Sequence, residues 1–188
     1  MTKNPRRPTA ENATLLVVDI QDKLLAKMPH AAALVRNAAF LLDVAAELGV
    51  PIRATEQYPK GVGPTTAEIA RRLPTPPAAK TAFSCCGTGT LLEELAMLQR
   101  PNVVLVGMET HVCVQQTALD LIDAGFHVVL AADAVTAWGD TDHASALRRL
   151  EVAGAVVTTA ESVAFEWVRD STHPKFKAVS GLVVARRG

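Results

Sequence analysis

Asp19 and Cys113 are two side chains whose types and positions can do chemistry together. Asp19 follows an apolar run in Val17-Val18-Asp19-Ile20-Gln21, and Cys113 closes Gly107-Met108-Glu109-Thr110-His111-Val112-Cys113. A thiol attacks as the thiolate, so it needs a base and usually a positive neighbour. Thr110 is a candidate helix cap, which would put Cys113 in the first turn of the next helix. There the helix dipole and free backbone N–H groups favour a thiolate and could hold an oxyanion. The plainer alternatives are that Cys113 is a small buried hydrophobe and Asp19 a capping residue. The histidines are poor partners for the thiol. His127 opens a strand and falls at the opposite edge of the sheet. His30 and His143 stand near helix starts, where solvated side chains are expected, and His173 is in the C-terminal tail. His111 is two residues from Cys113 and points elsewhere along the turn, to the surface or the mouth of a site. Asp19 is left as the base, with a lysine to hold the thiolate.

The elements that would position these groups follow from the apolar pattern. Runs rich in Val and Leu at Thr14–Asp19, Asn102–Met108 and His127–Ala132 do not alternate with polar residues. Such runs suit parallel strands covered on both faces. Pro51–Thr55, Thr81–Ser84 and Ala155–Thr159 are weaker strand candidates. Helical segments lie between: Ala31–Leu48 with an apolar stripe ending at Gly49, Thr90–Leu98, Val112–Ala124, Asp142–Ala153, and a helix or irregular tail in Thr172–Arg187. Alternation of strand and helix predicts one α/β domain over 1–188, with residues 1–11 a flexible N-terminus. The architecture expected is a three-layer α/β/α Rossmann-like sandwich on a mainly parallel six-stranded sheet. In the common strand order 3-2-1-4-5-6, ligands bind at the carboxyl ends of the first and fourth strands. Those ends are where Asp19 and the Gly107–Cys113 segment lie.

Three motifs in this order resemble the isochorismatase-like cysteine hydrolases, a family that includes nicotinamidases and N-carbamoylsarcosine amidohydrolases. They are the strand ending in Asp19-x-Gln21, the segment Lys80-Thr81-Ala82-Phe83-Ser84, and Gly107 followed at fixed spacing by Cys113, Val114 and Thr117. The resemblance runs from about Leu15 to Phe165. It implies a catalytic triad of Asp19, Lys80 and Cys113. It also implies a cis peptide between Met108 and Glu109, which turns a backbone N–H inward, and an oxyanion hole made by the N–H groups of Glu109 and Cys113. The activity implied is hydrolysis of a small amide- or carbamoyl-type molecule through a thioester on Cys113. Ester or vinyl ether cleavage on the same site, and a thiol-based redox or stress role without turnover, are the alternatives. The isochorismatases proper cleave a vinyl ether and need no cysteine.

The chain departs from the nicotinamidases after its second strand. They carry an Asp-x-His metal segment where this chain has Thr55-Glu56-Gln57-Tyr58-Pro59-Lys60-Gly61. Glu56 and Gln57 do not form a convincing metal set, so no metal and no cofactor are expected. That segment and the tail His173-Pro174-Lys175-Phe176-Lys177 resemble the isochorismatase domain-containing subgroup. Gln21, Gln57, Tyr58 and Phe83 are candidate substrate-binding residues. Cys85 and Cys86 are expected to be inert, and Trp138 and Trp167 to be core or interface residues. The long connection Tyr58–Pro77 is expected to help form the site.

Composition narrows the partners. Nineteen basic residues balance nineteen acidic ones, so no general attraction to nucleic acid or an anionic membrane is expected. No apolar run approaches the roughly 20 residues of a membrane span or the core of a signal peptide. Three cysteines, two of them adjacent, do not read as a disulfide framework and fit a reducing, cytoplasmic setting. The apolar stretch Val179–Ala185 suggests a subunit interface, hence a homo-oligomer.

Overall fold

The unbroken apolar runs become the inner strands of a sheet covered on both faces. A computed structural model describes residues 7–187. Its strands are β1 (Ala13–Val18), β2 (Ile52–Gln57), β3 (Ala78–Lys80), β4 (Asn102–Met108), β5 (His127–Thr136) and β6 (Val156–Thr158). They pair in parallel in the order β3-β2-β1-β4-β5-β6, as the sequence pattern predicts. Every residue of β1 and β4 is buried, which explains why neither alternates with polar residues.

Helices α1 (Asp22–Leu25), α2 (Ala31–Leu48), α3 (Pro59–Val62), α4 (Ala67–Ala70), α5 (Leu91–Met97), α6 (Gln115–Asp123), α7 (Asp140–Val152), α8 (Ala160–Val168) and α9 (Phe176–Arg187) make the connections. One core lies between the sheet and α2, α8 and α9, and includes Leu34, Leu41, Trp167 and Val179. The other lies under α5, α6 and α7, and includes Leu91, Leu95, Leu121 and Leu150. Helix α2 ends where expected, because Gly49 takes a left-handed φ of 69° that Leu or Val would resist.

Three sequence expectations change. The third strand is Ala78–Lys80, not Thr81–Ser84. Residues 78–80 pair with Thr55–Gln57, and the carbonyls of Ala82 and Phe83 turn away from the sheet to meet Lys80. Residues 7–11 are not a loose extension: Ala10 is buried and its carbonyl takes a hydrogen bond from Arg100. Residues 1–6 lie outside the described part. The apolar stripe of the tail packs inside the chain, with Val179 and Val183 buried against α2 and α8, while Val184 stays exposed. The Tyr58–Pro77 connection contains α3, α4 and the buried Ile69. Among the described residues, no helix is long and apolar enough to cross a membrane.

Candidate active site

Strand register brings the sequence candidates to one edge. Val18 lies opposite Thr55 on one side and Gly107 on the other, so Asp19 leaves the sheet between β2 and β4. Gly107 is required there: a Cβ would sit 2.0 Å from the Val18 carbonyl oxygen, and its φ is 127°. Lys80 ends β3 opposite Gln57, so its side chain can reach across β2 to Asp19. The Met108–Glu109 peptide is cis. A π-helical turn, Thr110–Val114, follows and carries Cys113.

Asp19, Lys80 and Cys113 converge. Lys80 Nζ lies 2.6 Å from Asp19 Oδ2, and both side chains are fully buried. Thr55 Oγ1 donates to Asp19 Oδ1 at 2.8 Å. The Asp19 carboxylate also lies near enough to Cys113 for its charge to act on the thiol. Asp19 holds a left-handed φ of 51°, a conformation disfavoured for a residue with a Cβ. Two partners on its carboxylate, Lys80 and Thr55, hold it there.

The thiol does not rest as a thiolate. Burial, then the charge of Asp19, push Cys113 up to about 12, against the opposing pull of Lys80. The helix-terminus effect expected from the sequence is outweighed because the turn is wide and the sulfur is desolvated next to an anion. Thr110 is not the cap either. Its hydroxyl lies 2.9 Å from Nδ1 of His143. His143 is therefore half-buried rather than solvated, and its pKa is lowered, first by burial and then by His30. His111 is partly buried, with its Nδ1 enclosed. His30 is exposed and lies 3.5 Å from Asp140, consistent with a solvated side chain.

The four candidate substrate-binding residues separate into two pairs. Gln21 is completely buried, and its amide serves backbone. Its Oε1 accepts from the Gln57 N–H at 2.8 Å, and its Nε2 donates to the carbonyls of Gln57 and Gly63. Gln57 turns its side chain to Lys80, whose Nζ donates to Gln57 Oε1 at 2.7 Å. Neither matches the expectation of a free substrate ligand, because hydrogen bonds within the chain already take up both amides. Tyr58 and Phe83 are more than half exposed, at 53% and 54%. Trp138 is also exposed, and its backbone N–H donates to the Glu109 carboxylate. Trp167 is in the core. Glu56 accepts from the N–H and hydroxyl of Thr65. Among the described residues, no three His, Cys, Asp or Glu side chains are grouped to hold a metal.

Sequence reasoning missed Thr55 and Thr117. Thr117 Oγ1 donates to the Cys113 carbonyl at 2.6 Å and accepts from the Cys85 N–H at 2.9 Å. Thr117 was visible as a motif position without a role. Thr55 left no signal beyond being a polar residue near a strand end.

A doubly wound α/β protein with a thiol, a carboxylate and an ammonium buried at its switch point defines a narrow class. Residues 13–162 match the isochorismatase domain, and the chain belongs to the isochorismatase family of hydrolases. It is similar to isochorismatase domain-containing protein 2 of Bos taurus, with 41% identity over 174 residues covering 92% of this chain and 83% of that one. A solved structure described as MAR1 ribonuclease from Caenorhabditis elegans superposes with a TM-score of 0.89 at 38% identity, covering 95% and 92% of the two chains. The YcaC gene product from Escherichia coli, described as an octameric hydrolase of unknown specificity, does so at 0.84 and 25% identity, covering 99% and 98%.

Proposed function

We propose that the chain is a cysteine hydrolase that cleaves a small amide- or carbamoyl-type substrate through a thioester on Cys113. One observation carries this reading. A buried carboxylate pairs with an ammonium, Lys80 Nζ at 2.6 Å, and its charge acts on the Cys113 thiol. A thiol pushed up to about 12 is protonated at neutral pH, so a base has to take its proton as it attacks. Asp19 is the neighbouring carboxylate that can do so. Lys80 then offsets the negative charge that moves from carboxylate to sulfur. Cys113 adds to the carbonyl, and the N–H groups of Glu109 and Cys113 hold the oxyanion. Protonated Asp19 returns the proton to the departing ammonia or amine. A water that Asp19 deprotonates hydrolyses the thioester and restores the thiol. These steps call for no metal or cofactor.

Tyr58 and Phe83 serve as apolar walls at the mouth, whereas Gln21 and Gln57 act inside the protein. The Caenorhabditis elegans neighbour is described as a ribonuclease. Phosphodiester cleavage would favour a cation free to meet phosphate. The ammonium in this site already has Asp19, Gln57 and two backbone carbonyls, which favours the amide reading. We also propose a homo-oligomer, supported by the octameric Escherichia coli relative and by the exposed rings of Tyr58, Phe83 and Trp138.

The test is ammonia release from a panel of small primary amides and ureido compounds, with esters run in parallel. Asp19→Asn keeps the shape and removes the base, so turnover is expected to fall about 100- to 10,000-fold. Cleavage of esters alone would replace the amide reading with esterase chemistry. Undiminished amide hydrolysis by Asp19→Asn would remove the mechanism.

A further inference from the structure

Lys80 is held by more than its carboxylate. Its Nζ contacts Asp19 Oδ2 at 2.6 Å, Gln57 Oε1 at 2.7 Å, the Phe83 carbonyl at 2.9 Å and the Ala82 carbonyl at 3.2 Å. An ammonium has three N–H bonds, so these acceptors decide where each one points. Two of the four come from the short segment just after β3. That segment is held by Gln57 as well, because Gln57 Nε2 donates to the Thr81 carbonyl at 2.8 Å. The amide of Gln57 therefore has one sensible orientation. Flipping it would aim an NH2 group at the ammonium and an oxygen at a carbonyl. The backbone of Gln57 is clamped in turn by Gln21, whose own N–H bonds the Asp19 carbonyl at 2.9 Å.

We propose that Gln57 is a positioning residue that aims the Lys80 ammonium at the Asp19–Cys113 pair, so that the thiol feels a cation fixed in place. This rests on the reading of Cys113 as the nucleophile but not on which bond is cleaved. Gln57 touches neither the thiol nor a substrate in this account. It acts through Lys80 and the 81–83 segment. Without its carbonyl oxygen, one ammonium N–H in a water-poor site has no side-chain acceptor, and the 81–83 segment loses a tether. The ammonium then leans toward the Ala82 and Phe83 carbonyls, away from Asp19. The field that favours the ionised thiol weakens, so the thiolate fraction at a given pH falls.

The experiment reads alkylation of Cys113 by iodoacetamide at pH 8.5, resolved peptide by peptide by mass spectrometry, on the full chain. Gln57→Met keeps length and volume and removes both hydrogen bonds. It is expected to slow modification of Cys113 by about tenfold, the effect of one unit of thiol pKa, without changing the rate at the half-buried Cys86. Gln57→Glu keeps an oxygen near Nζ but adds a charge that draws the ammonium from Asp19, and it should slow Cys113 as well. If Gln57→Met does not fold, Gln57→Glu carries the test alone. Slowed alkylation in a variant with native circular dichroism supports the proposal. An unchanged rate at Cys113 in a folded variant, whatever its melting temperature, overturns it. Because alkylation needs no turnover, lack of amidase activity in the wild-type protein would refute the proposed function and leave this result standing.

Discussion

Two cysteine-bearing turns sit side by side at the carboxyl edge of the sheet. Cys113 lies in the π-helical turn after β4, and Cys85 opens a short 3₁₀ turn, Cys85–Thr88, after β3. Both are buried, and both thiols are raised, first by burial and next by the charge of Asp19, to about 12 and about 11. Their partners differ. The charge of Asp19 acts on Cys113, whose sulfur has no hydroxyl partner among the described residues, while Cys85 Sγ lies 3.2 Å from the Thr55 hydroxyl, which itself donates to Asp19. A hydroxyl already committed to a carboxylate is no base. The 6% of its surface that Cys113 exposes also gives it the contact with solvent that Cys85 lacks. Burial and a raised pKa thus do not mark a nucleophile. In the proposed mechanism a neighbouring base and a path to solvent distinguish Cys113 instead.

The largest effect expected on this contrast comes from Lys80→Met. It leaves Asp19 buried without its counter-ion, which should cost about 3–5 kcal/mol in a urea denaturation. A loss under 1 kcal/mol would mean that the pair does not hold the crevice together.

Next comes the pH profile. Both folded thiols ionise above their unfolded range, whose ordinary value is 9.0. Each contributes stability that is present below about pH 9 and is lost as the pH rises toward about 11 or 12. Thermal unfolding between pH 8 and 10.5 should show that decline, and Cys113→Ala should remove part of it. Alkylation of Cys113 in the folded protein should still climb at pH 10, with no plateau near 9.

The smallest effect belongs to Cys85→Ala. It removes a buried sulfur and its contact with Thr55, and should cost about 1 kcal/mol of stability while changing amide turnover less than threefold. A loss of turnover as large as that of Cys113→Ala would erase the distinction between the turns.

How much of this was legible beforehand varies residue by residue. The unbroken runs of β1 and β4 revealed the inner strands, and the doubly wound order then placed Asp19 opposite the Cys113 turn. Lys80 came from family resemblance alone. No pattern in Ala78-Ala79-Lys80 marks a strand, since its first two residues are exposed at an edge and its pairing depends on β2. Thr55 and Gln57 were not legible in their roles because those roles arise from register. Only when Thr55 lies opposite Val18 and Gln57 opposite Lys80 do their side chains meet Asp19 and the ammonium. In the sequence His143 reads as a solvated helix-start residue, because its partner Thr110 is 33 positions away. The contact exists only once α7 packs on the π-helical turn.

The central claim is that Cys113, and not Cys85, carries the covalent step. Rapid quenching of the wild-type protein with a turned-over amide, followed by intact-mass and peptide mass spectrometry, tests it most directly. The account predicts an acyl adduct on the Cys113 peptide that decays at the rate of turnover, and no adduct or ammonia release from Cys113→Ala. An adduct on Cys85, or undiminished ammonia release by Cys113→Ala, would contradict it.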